Sequence, residues 1–117
     1  VRGTEALKRL VDALEVMPVR ELANGAWRDI ESGQLCALGA MSVAAGRDPE
    51  TMGEYDSEPL EVARLTAQDT GLPWGALYYI EHENDEGKWF GSETPAERWT
   101  RIHDWAVKEL AAREAKS

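Results

Sequence analysis

Cysteine is almost missing from this chain: Cys36 is the only one among 117 residues. A lone thiol excludes an internal disulfide and suits a reducing compartment. Histidine is nearly as scarce, with only His82 and His103, and no H-x-x-x-H or H-x-x-E-H spacing occurs. The common zinc-enzyme signatures are thereby excluded. Positive charge is short as well: 13 Lys and Arg stand against 22 Asp and Glu, a formal net charge of −9. A protein that grips a phosphate backbone presents clustered cations, so direct nucleic-acid binding is not expected, nor is binding to an anionic membrane surface. No run approaches the ~20 apolar residues of a membrane span, and the first residues lack a signal peptide's apolar segment. Neither G-x-x-x-x-G-K-[ST] nor G-x-G-x-x-G is present, so no nucleotide cofactor is expected. These absences together predict a cytoplasmic protein without cofactors.

What is present predicts one domain over residues 1–117. Hydrophobic residues make up 43 % of the chain, enough for a core without disulfides or metals. Five tryptophans each bring a large apolar area and an N–H that needs a partner. TEALKRLVDALEVM reads as a helix capped by Thr4, with Leu7, Leu10, Val11 and Leu14 as its apolar stripe and Pro18 as its stop. Asn24-Gly25 signals a turn, and Ala26–Ile30 and Gln34–Cys36 read as the two arms of a small β-hairpin. A helix from about Leu35 to Ala45 follows, in which Gly39 predicts close packing against another element. Ser57 is placed to cap a helix over Glu58–Thr70 that ends at Gly71, and Pro73 opens another, with Trp74, Leu77 and Ile80 on one face. Thr94-Pro95-Ala96-Glu97 combines a capping Thr, a Pro at N1 and a Glu at N3, opening a last helix whose inner stripe is Trp99, Ile102, Ala106 and Leu110. The predicted class is mainly α (α+β): about five helices around one core, with a small β-hairpin near residues 26–36.

NGAWRDIESGQLCALGAM resembles a segment of a family of small uncharacterised proteins from bacterial and tailed-phage genomes. Gly25-Ala26, Asp29, Gly33, Cys36, Leu38, Gly39 and Ala40 are similar to that family's G-A…D…G element running into C-x-L-G-A. Ile80, Asn84-Asp85, Thr94 and the Trp-bearing helix after it match its later pattern, so the resemblance spans roughly residues 20–110. It implies a cytoplasmic prokaryotic or phage setting and no particular activity.

Four constellations bear on function. Cys36 near a helix N-terminus has the placement of a nucleophile; Gln34 would offer an oxyanion amide, His103 or His82 a base, and Asp85 or Asp104 an orienting acid. Its neighbours are Leu, Ala and Gly, so the favoured reading is a small buried hydrophobe, with a cysteine-dependent hydrolase or transferase as the alternative. Glu81, His82, Glu83 and Asp85 crowd one segment that His103 would have to approach to complete a metal site. Adjacent helix positions face different ways, and the run misses the calcium-loop register. A solvated helix end with Asn84 as its C-cap is expected there, and no metal. The glycines, as noted, cradle no phosphate. The two acidic loops, Asp48–Glu61 and Glu81–Glu86, carry or adjoin Tyr55, Trp89 and Phe90. Aromatics rimmed by acids suit an interface, so Glu54, Tyr55, Asp56, Glu58, Glu83, Asp85, Glu86, Trp89 and Phe90 are the candidate partner-binding residues. The expected partner is a protein, basic or itself nucleic-acid-binding. The favoured function is that of a non-enzymatic phage or prophage accessory protein engaging a host or defence protein. An assembly role as a homodimer is a further alternative.

Overall fold

A computed structural model describes residues 2–24, 26–52, 58–85 and 93–115. Five α-helices stand among them: α1 (Arg2–Glu15), α2 (Ala37–Ala44), α3 (Pro59–Thr70), α4 (Trp74–Asp85) and α5 (Pro95–Ala115), with a single 3₁₀ turn at Pro49–Thr51. The i, i+3, i+4 spacing of leucines does what the sequence predicts in α1: Leu7, Leu10 and Leu14 are buried with Ala6 and Ala13. Thr4 lies inside the first turn instead of capping it, because the helix starts at Arg2.

Helix α2 is the hub, packed against α1, α3 and α4. Its residues Ala37 to Ser42 are all buried, so that stretch is enclosed around its whole circumference. Small side chains let three helices approach it. Gly39 marks the tightest approach: a Cβ there would collide with the Trp27 carbonyl oxygen and crowd Leu35 and Met52. The one polar side chain in this stretch, Ser42, donates to Thr66 Oγ1 on α3 at 3.1 Å.

The hairpin expected over residues 26–36 does not form. Only an isolated antiparallel bridge joins Arg28 and Leu35. The reason lies at both ends of the would-be ladder. At the turn, Asp29 Oδ1 accepts the N–H groups of Glu31 (2.9 Å) and Ser32 (3.4 Å), and Gly33 takes φ +77. These side-chain contacts close the turn, above the one backbone bond from Asp29 N–H to the Gln34 carbonyl at 2.7 Å. At the other end pairing stops because the chain enters α2 at Ala37; Cys36 N–H makes the last cross-strand bond, to the Trp27 carbonyl at 3.1 Å.

Helix α3 starts on Pro59 with Glu58 at the N-cap, and the expected cap Ser57 lies outside the described residues. It ends as predicted at Gly71, in the left-handed region at φ +76, with Leu72 buried behind it. In α4, Leu77 and Ile80 turn inward but Trp74, the first residue of the helix, stays half exposed. The capping box of α5 is complete: Thr94 N–H donates to Glu97 Oε1 at 2.9 Å and Glu97 N–H to Thr94 Oγ1 at 3.1 Å. Trp99, Ile102 and Ala106 bury its inner face, and Leu110 packs at its edge. Trp99 Nε1 donates to the Leu14 carbonyl at 3.3 Å, tying α5 to the end of α1.

Candidate functional site

The inward stripe of α4 changes character along its length. Leu77 and Ile80 are apolar, but the next positions on the same face are Glu81, Asn84 and Asp85, and all three are buried. The expected solvated helix end with Asn84 as a C-cap is therefore corrected: Asn84 lies within α4 and inside the molecule. Its side chain joins three parts of the chain. Oδ1 accepts the Ala37 N–H at 3.0 Å; Nδ2 donates to the Ala23 carbonyl at 3.0 Å and to Asp85 Oδ1 at 3.1 Å. The amide thus satisfies an otherwise bare N–H in the first turn of α2.

Cys36 is the N-cap of that helix and is completely buried, with 0 % exposure. Its Sγ accepts the Gly39 N–H at 3.4 Å. Burial, and next to it the Glu81 carboxyl, push the thiol pKa well above its ordinary value. At neutral pH Cys36 is a protonated, fully buried thiol, and the thiolate that nucleophilic chemistry needs is disfavoured.

Glu81 is 2 % exposed, and its Oε1 has no hydrogen-bond partner among the described residues. Burial foremost, and the Asp85 carboxylate one turn away, raise its pKa from 4.5 to about 8; the adjacent Cys36 pulls weakly the other way. Glu81 therefore holds its proton at neutral pH, as a carboxylic acid enclosed in the core.

Two arginines of α5 close the outer side of this cluster. Arg98 is buried; Nη1 donates to the Leu22 carbonyl at 2.8 Å, and Nε lies 3.2 Å from Glu93 Oε1. Arg101 donates to the carbonyls of Glu83 (2.8 Å) and Asn84 (3.1 Å) and forks onto both Glu93 oxygens. Hydrogen bonds from Arg101, with the charge of Arg98 nearby, hold Glu93 below the usual carboxylate range. The free carbonyls at the end of α4 are thus capped by a guanidinium.

The sequence-predicted residues scatter over this frame. Glu54, Tyr55, Asp56, Glu86, Trp89 and Phe90 lie outside the described residues. Glu58 is exposed at the start of α3. Glu83 lies against Arg101, and Asp85 faces inward against Asn84. Glu81 and Asp85 share the buried face, whereas His82 between them is exposed, as the helical turn demands. Of the residues proposed for cysteine chemistry, Asp85 adjoins Cys36 closely enough to act on its charge. His103 is engaged elsewhere: it stacks on Trp99 at 4.8 Å between ring centroids, and its Nε2 lies 2.9 Å from Glu15 Oε2. Gln34 reaches toward Glu21, at 3.5 Å. Among the described residues, no group of three or more His, Cys, Asp or Glu side chains is placed to hold a metal ion. Chemically, the cluster can hold a proton and lock the start of α2, and its side chains are buried. Glu81 and Asn84 are the residues the sequence reading underrated; the 77–80/81–84/85 spacing was their signal. No family model, curated protein or solved structure matches this chain significantly.

Proposed function

We propose that this chain is a non-enzymatic binding protein that engages a basic protein partner through its acidic exterior. The observation that carries the reading is the burial of its reactive side chains. The single thiol is sealed at 0 % exposure, and Glu81, the carboxyl beside it, is enclosed as well. What remains for function is the surface, and the chain carries a formal net charge of −9. Such a field raises the encounter rate with a cationic partner and disfavours anionic ones. The phage or prophage setting, with a host or defence protein as the target, rests on the sequence resemblance alone. A reducing interior is the compartment consistent with an unpaired cysteine.

The test is salt dependence. Proteins captured from a bacterial lysate at low ionic strength are identified, and the affinity of each purified candidate is measured from about 50 to 500 mM salt, where the screening length shortens several-fold. A basic partner whose affinity falls at least tenfold is expected. A partner that binds equally well across the range refutes the electrostatic reading.

A further inference from the structure

The face between the end of α1 and α2 carries an apolar groove that the core does not use. Its main chamber, about 460 Å³, is walled by Val16, Met17, Val19, Leu35 and Val43, with Glu21, Ser32 and Gln34 as its polar members. A second depression of about 280 Å³ continues it along α1, past the common wall of Ala13, Val16 and Ala44, to Arg9 and Asp12. The main chamber alone falls in the roughly 300–1,000 Å³ range of ligand sites. Val16 and Val19 are 72 % and 57 % exposed, a high figure for neighbouring valines with a groove beneath them.

Acids outnumber cations in its lining, two to one. Asp12 and Glu21 line the groove, and Glu31 stands in the turn beside the lining residue Ser32. Among the described residues, none of these three carboxylates pairs with a lysine or arginine; Glu21 meets only the Gln34 amide, at 3.5 Å. Among the described residues Arg9 is the one cation in the lining, and Arg28, paired with Glu50, approaches Gly33 of the wall. Apolar walls with unpaired acids at the edge complement a segment that carries apolar side chains on one side and lysines or arginines on the other.

We infer that the α1–α2 groove is the docking site for a basic amphipathic segment of the partner protein. The two depressions take successive apolar side chains of that segment, and Asp12, Glu21 and Glu31 meet its cations. Two depressions that share a wall suit successive side chains of one segment, as in helix-in-groove recognition. The inference rests on the reading of a basic partner and assigns that partner a place on the surface.

The probe is a synthetic 14-residue Leu/Lys peptide with helical amphipathic spacing, and its scrambled isomer serves as control. Affinity is measured by titration calorimetry for the unmodified protein, for the double variant Val16→Asn/Val19→Asn, and for Val107→Asn, which alters an exposed valine on α5. All three replaced side chains are exposed, so folding is preserved, and circular dichroism checks this. The amphipathic peptide is expected to bind more tightly than its isomer, to lose at least tenfold in affinity with the groove variant, and to be unaffected by Val107→Asn. Salt-sensitive binding that ignores the groove variant overturns the site and leaves the basic-partner reading standing. Binding in the groove that persists when every lysine of the peptide is replaced by glutamine overturns the charged occupant. Concentration-dependent self-association that the groove variant abolishes identifies a second copy as the occupant and overturns the proposal. Failure of both peptides to bind at low salt counts against the proposal and against the basic-partner reading alike.

Discussion

Replacing Glu81 by glutamine tests the account of the buried cluster most directly. In the folded protein this carboxyl keeps its proton up to about pH 8, whereas an unfolded chain releases it near 4.5. A raised folded pKa means that the native state binds the proton more tightly. The stability contributed is complete below about pH 4.5 and declines as pH rises toward 8, where the folded group finally ionises. By pH ~7 the loss amounts to about 3 kcal/mol, at about 1.4 kcal/mol per pH unit. Glu81→Gln has nearly the same shape and no proton to lose, so it is free of this penalty. Against that, the amide adds a donor where Oε1 already lacks a partner, which costs about 1–2 kcal/mol at any pH. The variant is therefore expected to be about 1 kcal/mol less stable than the unmodified protein near pH 4.5 and about 1–2 kcal/mol more stable near pH 7. Urea unfolding at half-unit pH steps reads the difference directly. A gap between the two proteins that stays constant from pH 4.5 to 8 would show that Glu81 titrates normally, and the enclosed-acid account would fall with it.

The remaining predictions concern the neighbours of that carboxyl. Gly39→Ala drives a methyl group into the Trp27 carbonyl and is expected to destabilise the fold by about 2 kcal/mol or more, measured by the urea midpoint; an unchanged midpoint would mean that α2 and residue 27 are not in contact. Asn84→Ala strips the partners from Ala37 N–H and the Ala23 carbonyl, a loss of about 3 kcal/mol, and hydrogen exchange at Ala37 should accelerate with it. A maleimide reagent at pH ~7.5 should leave Cys36 unlabelled in the native protein and modify it on unfolding; rapid native labelling would revive the cysteine-enzyme alternative.

Local chemistry was legible in the sequence, and inward-facing polarity was not. The Thr94–Glu97 box and the end of α3 at Gly71 depend on neighbours within a few residues, so their residue types announce them. Gly39 announced a close approach but not its partner, since the Trp27 carbonyl is supplied by a separate stretch of chain. The hairpin shrank to one bridge for lack of length: the Asp29 N–H to Gln34 carbonyl and Cys36 N–H to Trp27 carbonyl bonds flank the Arg28–Leu35 pair, and α2 takes over at Ala37. Glu81, Asn84 and Asp85 misled because acidic and amide residues near a helix end ordinarily face water. Only their continuation of the Leu77–Ile80 face indicated otherwise. That inward turn also withdraws Asp85 from the acidic exterior to which the sequence reading assigned it, and Arg101 takes up Glu83. The groove between α1 and α2 left no local signature, because its walls come from three separated segments.

Asn84 also has a bearing on how the chain is made. The first turn of α2 is completed by an atom 47 positions downstream, and the carbonyl of Ala23 by one 61 positions away. During synthesis the hub helix must wait, its opening turn unfinished, until most of the polypeptide has left the ribosome. Fragments that stop before α4 are thus expected to be sticky and short-lived, and the molecule to mature in one late, concerted step instead of helix by helix.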